Sequence, residues 1–156
     1  MKGNEQVLAK LNFFLADELT AISQYMVHSE MCSNWGYDNL HKAAEKRAID
    51  EMKHAEKLIA RILFLEGKPI VSELNPLHIG DSVEAQLCND LEAEAGAIQA
   101  YNEAIRLFFE LGDGGSRELI ESNLHDEEEH LDWLEAQLDQ IKQMGLQNYL
   151  QAQLSD

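Results

Sequence analysis

Two cysteines, two prolines and twelve basic residues are all that this 156-residue chain holds of each, and every shortage removes a class of protein. Cys32 and Cys88 match no metal-binding or redox spacing, so they read as reduced thiols rather than a disulfide framework or a zinc ribbon. Pro69 and Pro76 both fall in one segment. No apolar run is long enough to cross a bilayer, so no membrane span is expected. The opening stretch MKGNEQVLAKLNFF alternates polar and apolar residues and lacks the apolar stretch and cleavage site of a secretory signal, so a cytoplasmic protein is expected. Against twelve Lys and Arg stand 29 Asp and Glu, and the net charge of −17 denies the chain the basic face that nucleic acid requires. Acidity of this size either attracts cations or simply keeps the protein soluble.

What is present is helical. Hydrophobic content of 45% fits a globular chain, and its length fits a single domain over residues 1–156. Four stretches carry the helical period. The first runs from about residue 5 to 34 and ends near Asn34-Trp35-Gly36. The second spans about 38–65 and stops at Glu66-Gly67-Lys68-Pro69, a Gly/Pro stop signal. The third begins at Asp81 or Ser82 as N-cap and ends at Gly112; the fourth covers about 116–144 and is ended by Gly145. Each would be about 45 Å long at the helical rise. The polar, proline-bearing segment Gly67–Gly80 can carry the chain back along the bundle as a long crossover between helices two and three. Asn148–Leu154 reads as a short fifth helix. The expected fold class is therefore all-α, a four-helix bundle with a long crossover and a short C-terminal helix.

The chain also repeats. Glu51-x-x-His54 recurs as Glu127-x-x-His130, and each copy follows a glutamate at the same distance upstream, Glu18 and Glu94. At that one constant offset between the halves, Leu15, Ile22, Tyr25 and Asp50 also match Leu91, Ile98, Tyr101 and Asp126. One glutamate from each of two helices, plus Glu-x-x-His from each of two others, is the ligand set of a carboxylate-bridged di-metal site inside a four-helix bundle. A lone Glu-x-x-His is common; two copies, each preceded at equal spacing by a glutamate, are far more specific.

The inner stripes place the carboxylates. They read Leu8, Leu11, Leu15, Glu18, Ile22, Tyr25; Ala44, Ala48, Glu51, Ala55, Leu58, Ile62, Leu65; Leu87, Leu91, Glu94, Ile98, Tyr101, Ile105, Phe108; and Ile120, Leu124, Glu127, Leu131, Leu134, Leu138, Ile141. Each is apolar apart from one glutamate and, on the first and third, one tyrosine. A buried, unpartnered carboxylate costs several kcal/mol or is forced neutral, and four at one level repel one another. Two divalent cations remove that conflict. The alternative is four buried Glu–His or Glu–Arg pairs, for which only Arg47 and Arg61 lie near the inner stripe of helix two. His54 and His130 at i+3 can share a metal with their glutamates. Oxygen and imidazole together suit iron, manganese or zinc. Tyr25 and Tyr101 can hydrogen-bond a ligand, donate an electron, or pack as core.

Helix two carries a second apolar stripe, Ile49, Met52, Ile59 and Leu63, about 100° from the first. A helix with two apolar stripes needs a partner for the outer one. Met52 lies within it, either as packing or as a thioether ligand for haem iron.

The chain resembles the bacterioferritins over essentially its whole length. The resemblance is carried by Met1-Lys2-Gly3, Ile49-Asp50-Glu51-Met52-Lys53-His54-Ala55, Arg61-Ile62-Leu63-Phe64-Leu65-Glu66-Gly67 and Gly145-Leu146-Gln147-Asn148-Tyr149-Leu150-Gln151. It implies a ferritin-like bundle that self-assembles through twofold dimers into a hollow 24-subunit shell storing ferric mineral. Two iron ions per subunit are implied at Glu18, Glu51, His54, Glu94, Glu127 and His130, where Fe²⁺ is oxidised by O₂ or H₂O₂. Glu51 and Glu127 would bridge, Glu18 and His54 would complete one metal, and Glu94 and His130 the other. Tyr25 matches a tyrosine near the family's site. Met52 matches the ligand of a b-type haem, one per subunit pair, with a reductase or ferredoxin as the class of partner for iron release. The alternatives are a non-storage di-metal peroxidase or catalase, and a haem-binding bundle without ferroxidase activity. One departure stands out. Many relatives carry histidine at position 46, forming with Asp50 and Asp126 an iron site on the inner surface. Lys46 cannot ligate while protonated, so that site is not expected here.

Overall fold

Five helices follow one another in the computed structural model, which describes residues Met1–Ser155: α1 Glu5–Trp35, α2 Asp38–Phe64, α3 Val83–Glu110, α4 Gly114–Met144 and α5 Leu146–Gln151. The single domain expected over residues 1–156 ends on Asp156, which lies outside the described residues. The all-α class is observed, with no strand among the described residues. Each boundary has a local cause. The Asn4 side chain accepts the Gln6 N–H at 2.7 Å, Ser82 accepts that of Ala85 at 3.2 Å, and Asp113 accepts that of Ser116 at 2.9 Å, satisfying N–H groups the first helical turn leaves free. Asp113 as cap starts α4 two residues earlier than its hydrophobic period suggests. The fifth helix is displaced from 148–154 to Leu146–Gln151. Gly145, at φ 84°, closes α4 and opens α5 in one residue, a conformation costly for any residue with a Cβ.

Helix α1 packs chiefly on α2, and α3 on α4, giving two helical hairpins. Their joint interior is two apolar clusters. One contains Val7, Leu11, Phe14, Leu15, Leu58, Ile62, Phe108 and Ile120. The other contains Cys32, Leu40, Val83, Leu87, Leu134, Ile141 and Tyr149. Tyr149, fully buried, fastens α5 over that end by donating its hydroxyl to Gln137 at 2.7 Å. The inner stripes are broader than the sequence reading: Leu8, Ile22, Leu91, Ile98 and Leu124 are only half-buried, whereas Phe14 is fully enclosed.

The crossover between α2 and α3 has few buried side chains, yet its backbone is held. Asn12 accepts the Ile70 N–H at 2.9 Å and donates to the Lys68 carbonyl at 3.1 Å. Thr20 accepts the Asn75 N–H at 2.8 Å, Gln24 that of His78 at 3.1 Å, and His28 Nε2 that of Gly80 at 3.0 Å. Residues 12, 20, 24 and 28 stand at multiples of four on α1, so one polar stripe binds the returning strand of chain. Each such bond satisfies a crossover N–H that would otherwise depend on water. His28 is in turn held by Asp90 of α3, whose carboxylate oxygen lies 3.0 Å from Nδ1.

Gly80 is the tightest point. A Cβ there would meet the backbone of Ala85 and Gln86 in the first turn of α3. Gly80→Ala is expected to cost about 1–3 kcal/mol through this overpacking. Chemical unfolding of the variant checks it; an unchanged midpoint would mean that the crossover relaxes freely.

Candidate metal centre

Between the two apolar clusters the bundle contains a polar layer. Glu18 on α1, Glu51 and His54 on α2, and Glu94 and Glu127 on α3 and α4 are each at most 3% exposed. His130 is partly buried, its side chain 10% exposed. Glu18, Glu51, His54 and Glu127 each offer one ligand atom, all within 4.8 Å of one another. His54 Nδ1 lies 3.2 Å from Glu127, 3.5 Å from Glu51 and 3.6 Å from Glu18. None of these approaches has hydrogen-bond alignment, so His54 Nδ1 and the facing Glu18 Oε2 and Glu127 Oε1 are buried without partners. On the other side His130 Nδ1 lies 3.0 Å from Glu94 Oε1. All six residues singled out in the sequence therefore meet in one layer, to which each of the four long helices contributes a carboxylate.

The tyrosines mirror each other. Tyr25 on α1 donates to Glu94 on α3 at 2.5 Å, and Tyr101 on α3 donates to Glu18 on α1 at 2.6 Å. Each fixes the carboxylate of the opposite half. Tyr101, stacked on Phe14 with ring centroids 4.3 Å apart, has the same relation to Glu18 that Tyr25 has to Glu94. Burial raises both phenols well above their ordinary pKa, and the neighbouring carboxylates add to it, so both remain donors.

Three participants were not legible as such. Arg47 reaches the centre: Nη2 lies 2.6 Å from Glu51 Oε1, 2.9 Å from Glu127 Oε2 and 3.6 Å from Glu94 Oε2. The Glu127 contact is a hydrogen bond; the close Glu51 contact is an ion pair without hydrogen-bond alignment. One guanidinium thus serves three of the four carboxylates, so Arg47 does more than the one-to-one Glu–Arg pairing considered from the sequence, although no arginine among the described residues reaches Glu18. Asp126 accepts from His54 Nε2 at 2.8 Å, which orients the ring and leaves Nδ1 facing the carboxylates. Asn123 is fully buried with neither amide atom hydrogen-bonded. The signal was available: Arg47 and Asn123 stand one helical turn before Glu51 and Glu127, and so on the same face. Lys46 does not enter the layer; its Nζ is 3.3 Å from Asp50 at the surface.

The electrostatics follow from this packing. Burial pushes the carboxyls of Glu51 and Glu127 well above the usual carboxylate range, and neighbouring glutamates push them further. Burial also acts on Glu94, but its contacts with Glu127 and His130 and the charge of Arg47 win and bring it down to about 2. Burial lowers the affinity of His54 for a proton; Glu127, Glu18 and Glu51 outweigh it and raise its pKa.

Helix two's outer stripe is exposed at Ile49 (44%), Met52 (45%) and Leu63 (58%), whereas Ile59 turns inward and packs on the core. Met52 thus points away from the buried layer. No helix among the described residues is long and apolar enough to cross a membrane.

Comparison with known proteins gives the same family. Residues 8–144 match the ferritin-like domain. The chain is 44% identical to a bacterioferritin of Rhodobacter capsulatus over 149 residues, covering 96% of this chain and 92% of that one. It is 42% identical to a bacterioferritin of Brucella melitensis, with the same coverage of both chains, 96% and 92%. It is 43% identical over 156 residues to a bacterial ferritin of Synechocystis, covering 99% of this chain and all (100%) of that one. The chain belongs to the ferritin-like domain family and, within it, to the bacterioferritins.

In the metal-free chain the raised Glu51 and Glu127 bind protons that the unfolded chain releases. They stabilise the fold below the ordinary carboxylate pKa, and this is lost as pH rises through their folded values. Glu94 runs the other way, its contribution being lost only as pH falls toward about 2. The thermal midpoint of metal-free protein is therefore expected to fall as pH rises above the ordinary carboxylate range, and saturating Zn²⁺ to remove most of that slope by replacing the protons. Calorimetry with and without Zn²⁺ measures it. A slope unchanged in the Glu51→Gln/Glu127→Gln double variant would assign the effect elsewhere.

Proposed function

We propose that the chain stores iron and oxidises it on the way in. Two Fe²⁺ ions are the substrate, bound between the four helices. Glu51 and Glu127 bridge them, Glu18 and His54 complete one ion, and Glu94 and His130 the other. The observation that carries this reading is the set of buried ligand atoms without partners. Glu18 Oε2, Glu51 Oε1, His54 Nδ1, Glu94 Oε2 and Glu127 Oε1 all lack a hydrogen-bond partner. Arg47 meets Glu51 Oε1 and Glu94 Oε2 as an ion pair without hydrogen-bond alignment. No guanidinium among the described residues meets Glu18 Oε2, His54 Nδ1 or Glu127 Oε1, a heavy cost in a core unless a cation completes them. Carboxylate and imidazole donors suit iron. The relatives named bacterioferritin support the same reading.

The residues around the donors have separable tasks. Tyr25 and Tyr101 hold Glu94 and Glu18 in place, and Asp126 holds His54. Entry is proposed through the cavity of about 310 Å³ lined by Asp17, Glu18, Glu92, Glu94, Asn75 and His78, where carboxylates offer a cation successive partners. Two neighbouring ions can give up two electrons together to O₂ or H₂O₂, and the ferric product leaves for storage. A hollow shell built from twofold dimers, 24 subunits in the family's form, is the proposed container, within the cytoplasm. The exposed stripe of Ile49, Met52 and Leu63 is the proposed dimer face. There the sulfur of Met52 from each of two copies would hold haem. The exposed thioether among apolar side chains fits that group. When bound, haem supplies one-electron transfer toward the stored iron, with a reductase or ferredoxin as donor.

Two experiments test this. Glu18→Ala and Glu94→Ala should each slow the rapid phase of Fe²⁺ oxidation by more than about tenfold, the loss typical of even a ligand's supporting partner. The assembled mass should be unchanged. Wild-type rates in both variants would remove the ligand assignment and favour a bundle without ferroxidase activity. Met52→Leu keeps volume and hydrophobicity, so dimer packing should change by less than about 1.5 kcal/mol. Its Soret band after haem supplementation should be absent while Fe²⁺ oxidation persists. An unaltered low-spin spectrum would leave Met52 as interface packing.

A further inference from the structure

The internal repeat makes the two halves of the centre equivalent in their donors, but not in what stands one turn before the bridging glutamates. That position holds Arg47 in the first half and Asn123 in the second. Asn123 is neutral, enclosed and unpartnered, and its amide lies beside the Tyr101 hydroxyl without hydrogen-bond alignment. Arg47 instead projects a cation among Glu51, Glu94 and Glu127, at 2.6, 3.6 and 2.9 Å. The donors Glu18, Glu51, His54 and Glu127 are already within 4.8 Å of one another. On Glu94, Tyr25 and His130 contact Oε1, and the guanidinium lies against the other oxygen, Oε2, as well as Glu51 Oε1 and Glu127 Oε2.

We infer that Arg47 is a displaceable internal cation that holds the Glu94–Glu127–His130 half of the centre shut until a second metal ion expels it. The inference rests on the reading of this layer as a two-metal site. Charge requires the expulsion. Glu18, Glu51, Glu94 and Glu127 supply four negative charges, which two divalent ions with neutral imidazoles balance. Keeping a guanidinium in the same enclosed volume would leave a surplus positive charge away from water, a penalty of several kcal/mol. With one ion bound, the guanidinium compensates part of the remaining negative charge and belongs where it is. There is also somewhere for it to go. A cavity of about 420 Å³ adjoins Arg47 and is lined by Asp50, Asp126, Glu129, His130 and Lys46. Rotation of the side chain would exchange the inner carboxylates for Asp50, Asp126 and Glu129. The two ions therefore load in order and unequally: the Glu18–Glu51–His54–Glu127 half first, the other half second and weaker. Arg47 touches ligands rather than reactants, so it is a positioning residue that sets occupancy.

The test is a Co²⁺ titration of assembled, metal-free full-length protein, followed by visible absorption and calorimetry. Co²⁺ reports coordination without turnover. Wild type should bind two ions per subunit in steps separated by at least about tenfold in Kd. Arg47→Leu and Arg47→Gln should narrow that gap by about tenfold or more, whereas Arg47→Lys should retain it. A crystal structure of wild type saturated with Co²⁺ should place the guanidinium beside Asp50, Asp126 or Glu129, which tests the displacement even where a variant fails to assemble. An unchanged gap in both neutral variants, or two bound ions with Arg47 still between Glu51 and Glu127, would overturn the inference. Wild type that binds no Co²⁺ at all would instead overturn the two-metal reading on which it stands.

Discussion

Mutual repulsion among four enclosed carboxylates is the constraint to which the rest of this bundle answers. Glu18, Glu51, Glu94 and Glu127 are nearly inaccessible to water, and apolar clusters close the layer on both sides. Such an arrangement is unfavourable on its own, because each charge loses hydration and faces others of its own sign. Everything near it reduces that cost. Two tyrosine hydroxyls and one guanidinium reach into the layer, and burial with like charge raises the proton affinity of Glu51 and Glu127. The fold supplies enough apolar burial at its two ends to carry a middle that opposes folding.

Much of this was legible because helices make sequence spacing into spatial proximity. A carboxylate in each apolar stripe must face inward if its stripe does, and the i+3 histidine must lie beside it. No tertiary information is needed for that step, which brings Glu18, Glu51, His54, Glu94, Glu127 and His130 to one layer. The constant offset between the two halves likewise anticipated that Tyr25 and Tyr101 would have matching surroundings. What escaped were residues whose role depends on side-chain reach. Arg47 stands one turn before Glu51 near the inner stripe, so its spacing allows an inward reach, but only the length of its side chain lets one guanidinium meet three carboxylates. Asp126 lies at the surface side of α4, and its bond to His54 depends on the crossing of two helices. Ile59 fell on an outer stripe by angle alone, but the packing of α2 turns it inward.

The crossover gives a second instance. Its sequence is recognisable as non-helical from Pro69, Pro76 and its polarity, but its path is not. That path is set by Asn12, Thr20, Gln24 and His28, which read individually as ordinary polar residues of a helix. Their common face becomes meaningful only when another backbone lies along it. Hydrogen-bonding stripes are harder to read than apolar ones, because an exposed polar stripe and one that holds a loop have the same sequence pattern.

The division of the donors between the two hairpins has a thermodynamic corollary. Glu18, Glu51 and His54 belong to the hairpin of α1 and α2; Glu94, Glu127 and His130 belong to that of α3 and α4. Each hairpin is made by local contacts across a loop of a few residues, the kind of unit that closes early in folding. An ion ligated across the layer is then a crosslink between two halves that the chain itself joins only through a long crossover. Its binding free energy is conferred on their docking, by the same linkage through which any ligand favours the state that binds it. On the proposed two-metal reading, withdrawal of the ions would loosen the seam between the hairpins while leaving each hairpin's own contacts intact.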